Sequence, residues 1–120
     1  MSFYVRGMNL MNNWILSGDK IDFLSSNADE MAIGAAMAIK SNGKSVGKDI
    51  LIGGTDGGSN GLQAIKKGML TVTVFQDAKS QAYGAVDMAE QAAKGEAIKD
   101  VNFIPFQLVT PQNYEKFMTP

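Results

Sequence analysis

Three times in succession this chain places a short apolar run before a segment with helical signals, and that alternation narrows the folds open to it. "IDFLSS" (Ile21–Ser26) leads into "NADEMAIGAAMAIKSNG", "DILIG" (Asp49–Gly53) into "SNGLQAIKKG", and "MLTVTVFQ" (Met69–Gln76) into "DAKSQAYGAVDMAEQAAKG". Asn27 or Asp29 can cap the first of these helices, with acids in its opening turn and Asn42-Gly43 at its end. Gly68 and Gly95 stop the other two, and Asp77 can cap the last. Ahead of the alternation, Val5, Met8, Leu10, Met11, Trp14 and Ile15 recur at helical spacing, so residues 4–17 are expected to form an amphipathic helix ending at Gly18. Trp14 is expected to anchor its core, with Met8, Met11, Met31 and Met37 filling gaps. After the alternation come two extended pieces on either side of Pro105, in "VNFIPFQLVT". Strands alternating with helices over short connections predict an α/β fold, a parallel sheet covered by helices. The pattern opens on a helix and offers three clear strands, fewer than an open sheet usually has.

Composition removes many functions. Eleven basic and twelve acidic residues leave a net charge of −1, which gives no field to gather nucleic acid or an anionic membrane. The 120 residues include no Cys and no His, which excludes disulfides, thiolate nucleophiles, His-based zinc sites and Ser-His-Asp triads. No cofactor or metal is implied. No apolar run is long enough to span a bilayer, and the start "MSFYVRGMNLMNNW" lacks the pattern of a signal peptide.

Ligands of open α/β sheets bind where strand ends lead into helix N-termini, here at Ser26–Asp29, Thr55–Asn60 and Gln76–Asp77. The glycine-rich stretch "ILIGGTDGGSNG" (Ile50–Gly61) lies at the second of these. It is a poor phosphate cradle. The chain's "GKS" at Gly43–Ser45 has Ala38 where a Walker loop needs its first Gly, and a helix precedes it. Nor does "GGTDGGSNG" hold a G-x-G-x-x-G register, and Asp56 would repel a pyrophosphate. A rim for a neutral polar ligand fits better. An ionised Asp accepts hydrogen bonds from vicinal hydroxyls, flanking glycines permit close backbone approach, and Gln76 can donate and accept at once. The same residues also suit an ordinary turn, with Asp56 capping the next helix and Gln76 a satisfied strand-end amide, and spacing alone leaves both readings open.

"SNADEMAIGAAMAIKSNGK", "ILIGGTDGGSNGLQAIKKGMLTVTVFQDAKSQAYGAVDMA" and "IPFQLVTPQNY", in this order and spacing, resemble the C-terminal part of the periplasmic sugar-binding proteins of ABC transporters. The group is the ribose/galactose type, and "PFQLVTPQN" looks most like its inositol- and rhizopine-binding branch. The resemblance implies a flavodoxin-like parallel sheet covered by helices, as an incomplete lobe of a type I periplasmic binding protein. Residues of about 1–76 would belong to the C-terminal lobe and about 77–120 to the hinge-return helix and strands. It implies a non-catalytic solute-binding component of a sugar or cyclitol importer, periplasmic, with a permease as partner of the full-length protein. Asp56 would correspond to the family's hydroxyl-binding Asp and Gln76 to its hinge-side Asn or Gln. Phe3 would be the ring-stacking aromatic, and Asn27 stands one position before the family's usual Asn, here Ala28. The other lobe is missing from this comparison, so exposed edges and helix faces, and self-association, are expected.

Other readings compete with this one. The effector domain of a sugar-responsive repressor shares the fold but should bring a helix-turn-helix and a basic surface. A phosphoacceptor module or small enzyme needs an acidic cluster with Mg²⁺, and only Asp56 is in position. A truncated fragment without independent function is the plainest alternative.

Overall fold

The structure, a computed structural model, describes residues 1–118 and divides into two compact units, residues 1–75 with 108–118 and residues 76–107. In the first unit, α1 (Phe3–Leu16) leads to β1 (Phe23–Ser25), α2 (Asp29–Ser41), β2 (Leu51–Gly53), α3 (Ser59–Lys66) and β3 (Thr73–Phe75). β4 (Gln107–Val109) and one 3₁₀ turn (Tyr114–Phe117) close the chain. The second unit is built on α4 (Ala78–Ala93).

β1 and β2 pair in parallel with Leu24 opposite Ile52. Parallel bridges Gly53–Val72 and Asp56–Phe75 carry the arrangement on to β3, which pairs with β4. The α/β fold with a helix-covered parallel sheet is thus present. Each regular strand is only three residues long, shorter than the apolar runs suggest. β1 in particular is not buried on both faces, because Phe23 and Ser25 stand exposed on either side of half-buried Leu24.

Helix ends follow the sequence signals in part. The Ser2 hydroxyl accepts the Val5 N–H, so α1 starts one residue ahead of expectation. Gly18, Gly43 and Gly68 take positive φ just beyond α1, α2 and α3. At the start of α2, however, neither Asn27 nor Asp29 caps; Ala28 holds the cap position, and Asp29 is the first helical residue with its carboxylate engaged elsewhere.

The core of the first unit lies between the sheet and helices α1, α2 and α3, around Met11, Ala36, Ile39, Ile52, Ile65 and Leu70. Each fully buried aliphatic contributes about 1.5–3 kcal/mol by leaving water. α1 crosses α2 very closely: a Cβ on Gly7 would strike the Met31 carbonyl and one on Gly34 the Tyr4 carbonyl. That crossing turns Tyr4, Met8, Met11 and Ile15 toward the core and leaves Trp14 to one side, 39% exposed, so Trp14 is not the anchor expected. Among the four methionines only Met11 is fully buried, and Met37, on the outer face of α2, is 48% exposed. Beyond α4, residues 101–106 form no strand, and only Gln107–Val109 of the two extended pieces is paired. Pro105 has no N–H to offer a ladder.

Candidate functional site

The loops that follow β1 and β2 are stitched together by their own backbone. Ser26 donates its N–H to the Gly53 carbonyl (2.9 Å), the Thr55 hydroxyl donates to the Ser26 carbonyl (3.0 Å), and Asp29 donates its N–H to the Thr55 carbonyl (2.8 Å). Asp56 N–H donates to the Val74 carbonyl of β3 (3.0 Å). The tips of three strands therefore form one platform.

Asp29 sits under that platform, buried. Its carboxylate accepts from the Thr73 hydroxyl (2.6 Å) and the Gly57 N–H (2.9 Å). Gly54 and Gly61 make the room: a Cβ at either would overlap the carboxylate oxygens. Burial pushes the Asp29 carboxyl above the usual carboxylate range; its two hydrogen bonds oppose that shift, and the nearby Asp56 and Glu30 charges add to it.

Asp56 is a non-glycine residue held far into positive φ, at 117°. A side chain held there costs about 1–3 kcal/mol, and such strain concentrates where function over-determines the backbone. The neighbouring Gly57, with φ 65°, must be glycine for a second reason, since a Cβ would strike the Phe75 backbone. The Asp56 side chain is exposed and has no hydrogen-bond partner among the described residues. It does not cap α3, whose cap residue is Gly58 with no side-chain bond. Asp56 is thus a charged acceptor held out on a rigid backbone with its lone pairs free.

The other expected residues have different settings. In the second unit Gln76 is half-buried and its carbonyl accepts from the Gln81 side chain (2.6 Å), while no bond to the Gln76 amide itself is present among the described residues. Asp77 caps α4 through the Ser80 N–H (3.0 Å) and hydroxyl (2.6 Å), which hold its carboxyl below the usual range. Phe3 opens α1 and is 57% exposed. Asn27 is exposed on the β1 loop, at the edge of a groove that also has Leu10, Trp14, Leu24 and Met31 in its walls. No hydrogen bond joins the Phe3 or Asn27 side chain to the Asp56 loop among the described residues.

Asp29, expected only as an acid at a helix start, is instead a buried acceptor beneath the strand tips. The signal was Gly61, a glycine inside a helix, where it costs about 1 kcal/mol relative to Ala and so marks a close approach.

Residues 6–97 match the family described as periplasmic binding protein domain. A Rhizobium meliloti protein named for binding rhizopine is 44% identical over 112 residues, 93% of this chain and 36% of its own length. The ribose import binding protein of Escherichia coli (strain K12) is 30% identical over 108 residues, again 36% of its length. An ABC transporter solute-binding protein from Bacillus halodurans C-125, solved with bound myo-inositol, superposes with a TM-score of 0.84 at 46% identity, over 95% of this chain and 39% of that one. This chain therefore spans little more than a third of each of these proteins, and it belongs to the periplasmic binding protein domain family.

Proposed function

We propose that the chain supplies part of a non-catalytic binding site for a sugar or cyclitol, with the Asp56 carboxylate as its principal acceptor of ligand hydroxyls. The observation that carries this reading is the conformation of Asp56: a strained backbone that presents an unpartnered carboxylate at the strand tips. A turn needing only φ 117° would be served at lower cost by glycine, so the side chain is what accounts for an Asp here. A carboxylate takes two hydroxyls at once and prefers charge-assisted bonds, which suits a polyol.

In this reading Gln76 contributes a second polar contact, Phe3 an apolar face for the ring and Asn27 a peripheral one. Relatives named for rhizopine and ribose, and a neighbour holding myo-inositol, favour a cyclitol or a pentose as the ligand class. The longer protein would work in the periplasm, delivering that ligand to the permease of an ABC importer. Ligand pockets bury most of their ligand, so a chain spanning a third of its relatives completes the site only with further walls.

Grafting this chain into the Bacillus halodurans protein in place of the matching segment gives a direct test by calorimetry with myo-inositol and ribose. Asp56→Ala should weaken binding about ten- to hundredfold, the value of a hydrogen bond to a charged group, and Gln76→Ala about tenfold or less. Unchanged affinity in Asp56→Ala sinks the reading.

A further inference from the structure

We propose that Asp29 is the positioning residue of the Asp56 loop, holding both peptide planes that flank Asp56 and so setting the direction of its carboxylate. The plane between Thr55 and Asp56 is gripped at its carbonyl by the Asp29 N–H (2.8 Å) and at its N–H by the Val74 carbonyl (3.0 Å). The plane between Asp56 and Gly57 is gripped at the Gly57 N–H by the Asp29 carboxylate (2.9 Å). With both planes fixed, φ and ψ of Asp56 have no freedom left, which is how a residue persists at φ 117°. Asp29 is itself held on several sides. Its second oxygen takes the Thr73 hydroxyl from β3, and Gly54 and Gly61 close against it from two sides.

The chemistry of Asp suits this position. Asp is short enough to bond a distant N–H while its own N–H bonds Thr55, and its carboxylate accepts from two donors at once. The charged groups around it are the carboxylates of Asp56 and Glu30, both repulsive, so among the described residues no cation holds it in place and the two donors do. The functional weight of this inference rests on the reading that Asp56 meets ligand hydroxyls; the geometry of the clamp does not.

The test is NMR on this chain. In Asp29→Ala, hydrogen-exchange protection of the Gly57 amide should fall on the order of tenfold or more relative to Gly54 and Val72, and the Asp56 coupling constant should average. A loss of global stability alone would lower all three amides together. Asp29→Asn should restore the loop, because its carbonyl can accept from Gly57 while its amide donates to a reversed Thr73 hydroxyl. The Gly57 resonance of the native chain should titrate above the usual carboxylate range, cease to do so in Asp29→Asn, and move to a higher midpoint in Thr73→Val. These two variants decide the matter should the alanine variant fail to fold. Native-like Gly57 protection in Asp29→Ala, or an unaltered titration in Asp29→Asn, overturns the proposal. Ligand affinity is not read here, so failure would leave the hydroxyl-binding reading intact, and Asp56→Ala tests that reading alone.

Discussion

α2 and α4 are both alanine-rich, both have an Asp at or just before their first residue and both end near a glycine, yet they differ completely in what they bury. Eight of the thirteen residues of α2 are buried, against none of the sixteen in α4. Helix propensity and end signals specify that each is a helix; only the surface opposite decides whether an apolar face becomes core. α2 lies against α1 and the sheet, while Tyr83 and Val86 of α4 stay 61% and 63% exposed. The internal glycines show the same contrast. Gly34 lets α2 touch the backbone of Tyr4, whereas a Cβ on Gly84 would meet the end of the Asn102 side chain and Ile104.

Alanine at those two glycines should separate the helices most widely. Gly34→Ala forces α1 away from α2 and should destabilise the first unit by about 3 kcal/mol or more in urea unfolding, the upper range for overpacking a core. Gly84→Ala needs only a flexible side chain to move and gains helix propensity, so it should be neutral or stabilising by about 1 kcal/mol or less. Equal losses would mean that α4 is packed as tightly as α2. Truncation of apolar residues should follow with the same asymmetry. Ile39→Ala removes a fully buried side chain and should cost about 2–4 kcal/mol, while Val86→Ala should stay within about 0.5 kcal/mol. A cost of more than about 1 kcal/mol for Val86 would show that α4 finds a partner in solution, on a second copy or elsewhere in a longer chain.

How far the sequence was legible follows from the same distinction. Caps, glycines and apolar runs locate the four α-helices of the described residues to within a few residues, because those signals are local and act within a turn of the residue that carries them. The strands are shorter than their apolar runs, since such a run does not reveal how much of it finds a parallel neighbour. Trp14 was misplaced for a related reason: the face that α1 turns inward is set by Gly7 and Gly34, two residues from distant segments whose meeting no spacing announces. Asp56 drew attention through the glycines around it, but its strained φ and unpartnered carboxylate exist only once β3 supplies the Val74 carbonyl. Asp29 was the hardest to see, because its partners Gly57 and Thr73 lie 28 and 44 residues away.

The two helix-start aspartates sharpen the comparison in a subtler quantity, the response to pH. Burial raises the carboxyl of Asp29, so its contribution to stability is present below the unfolded value and is lost as pH rises through the folded one. Local bonds from Ser80, with the charge of Lys79 nearby, lower that of Asp77. Its contribution is present above the unfolded value and is lost as pH falls through the folded one. Native-state hydrogen exchange, corrected for intrinsic rates, should therefore show protection in α2 declining as pH climbs through the range just above ordinary carboxylates. Protection in the first turn of α4 should instead decline as pH drops below that range. Asp29→Asn should flatten the first profile and Asp77→Asn the second, since asparagine can keep the bonds of Asp29 to Gly57 and Thr73 and the cap of Asp77 without titrating. Profiles that slope the same way would show that the two aspartates share an environment, and would remove the physical basis for treating one as a clamp across the sheet and the other as a local cap.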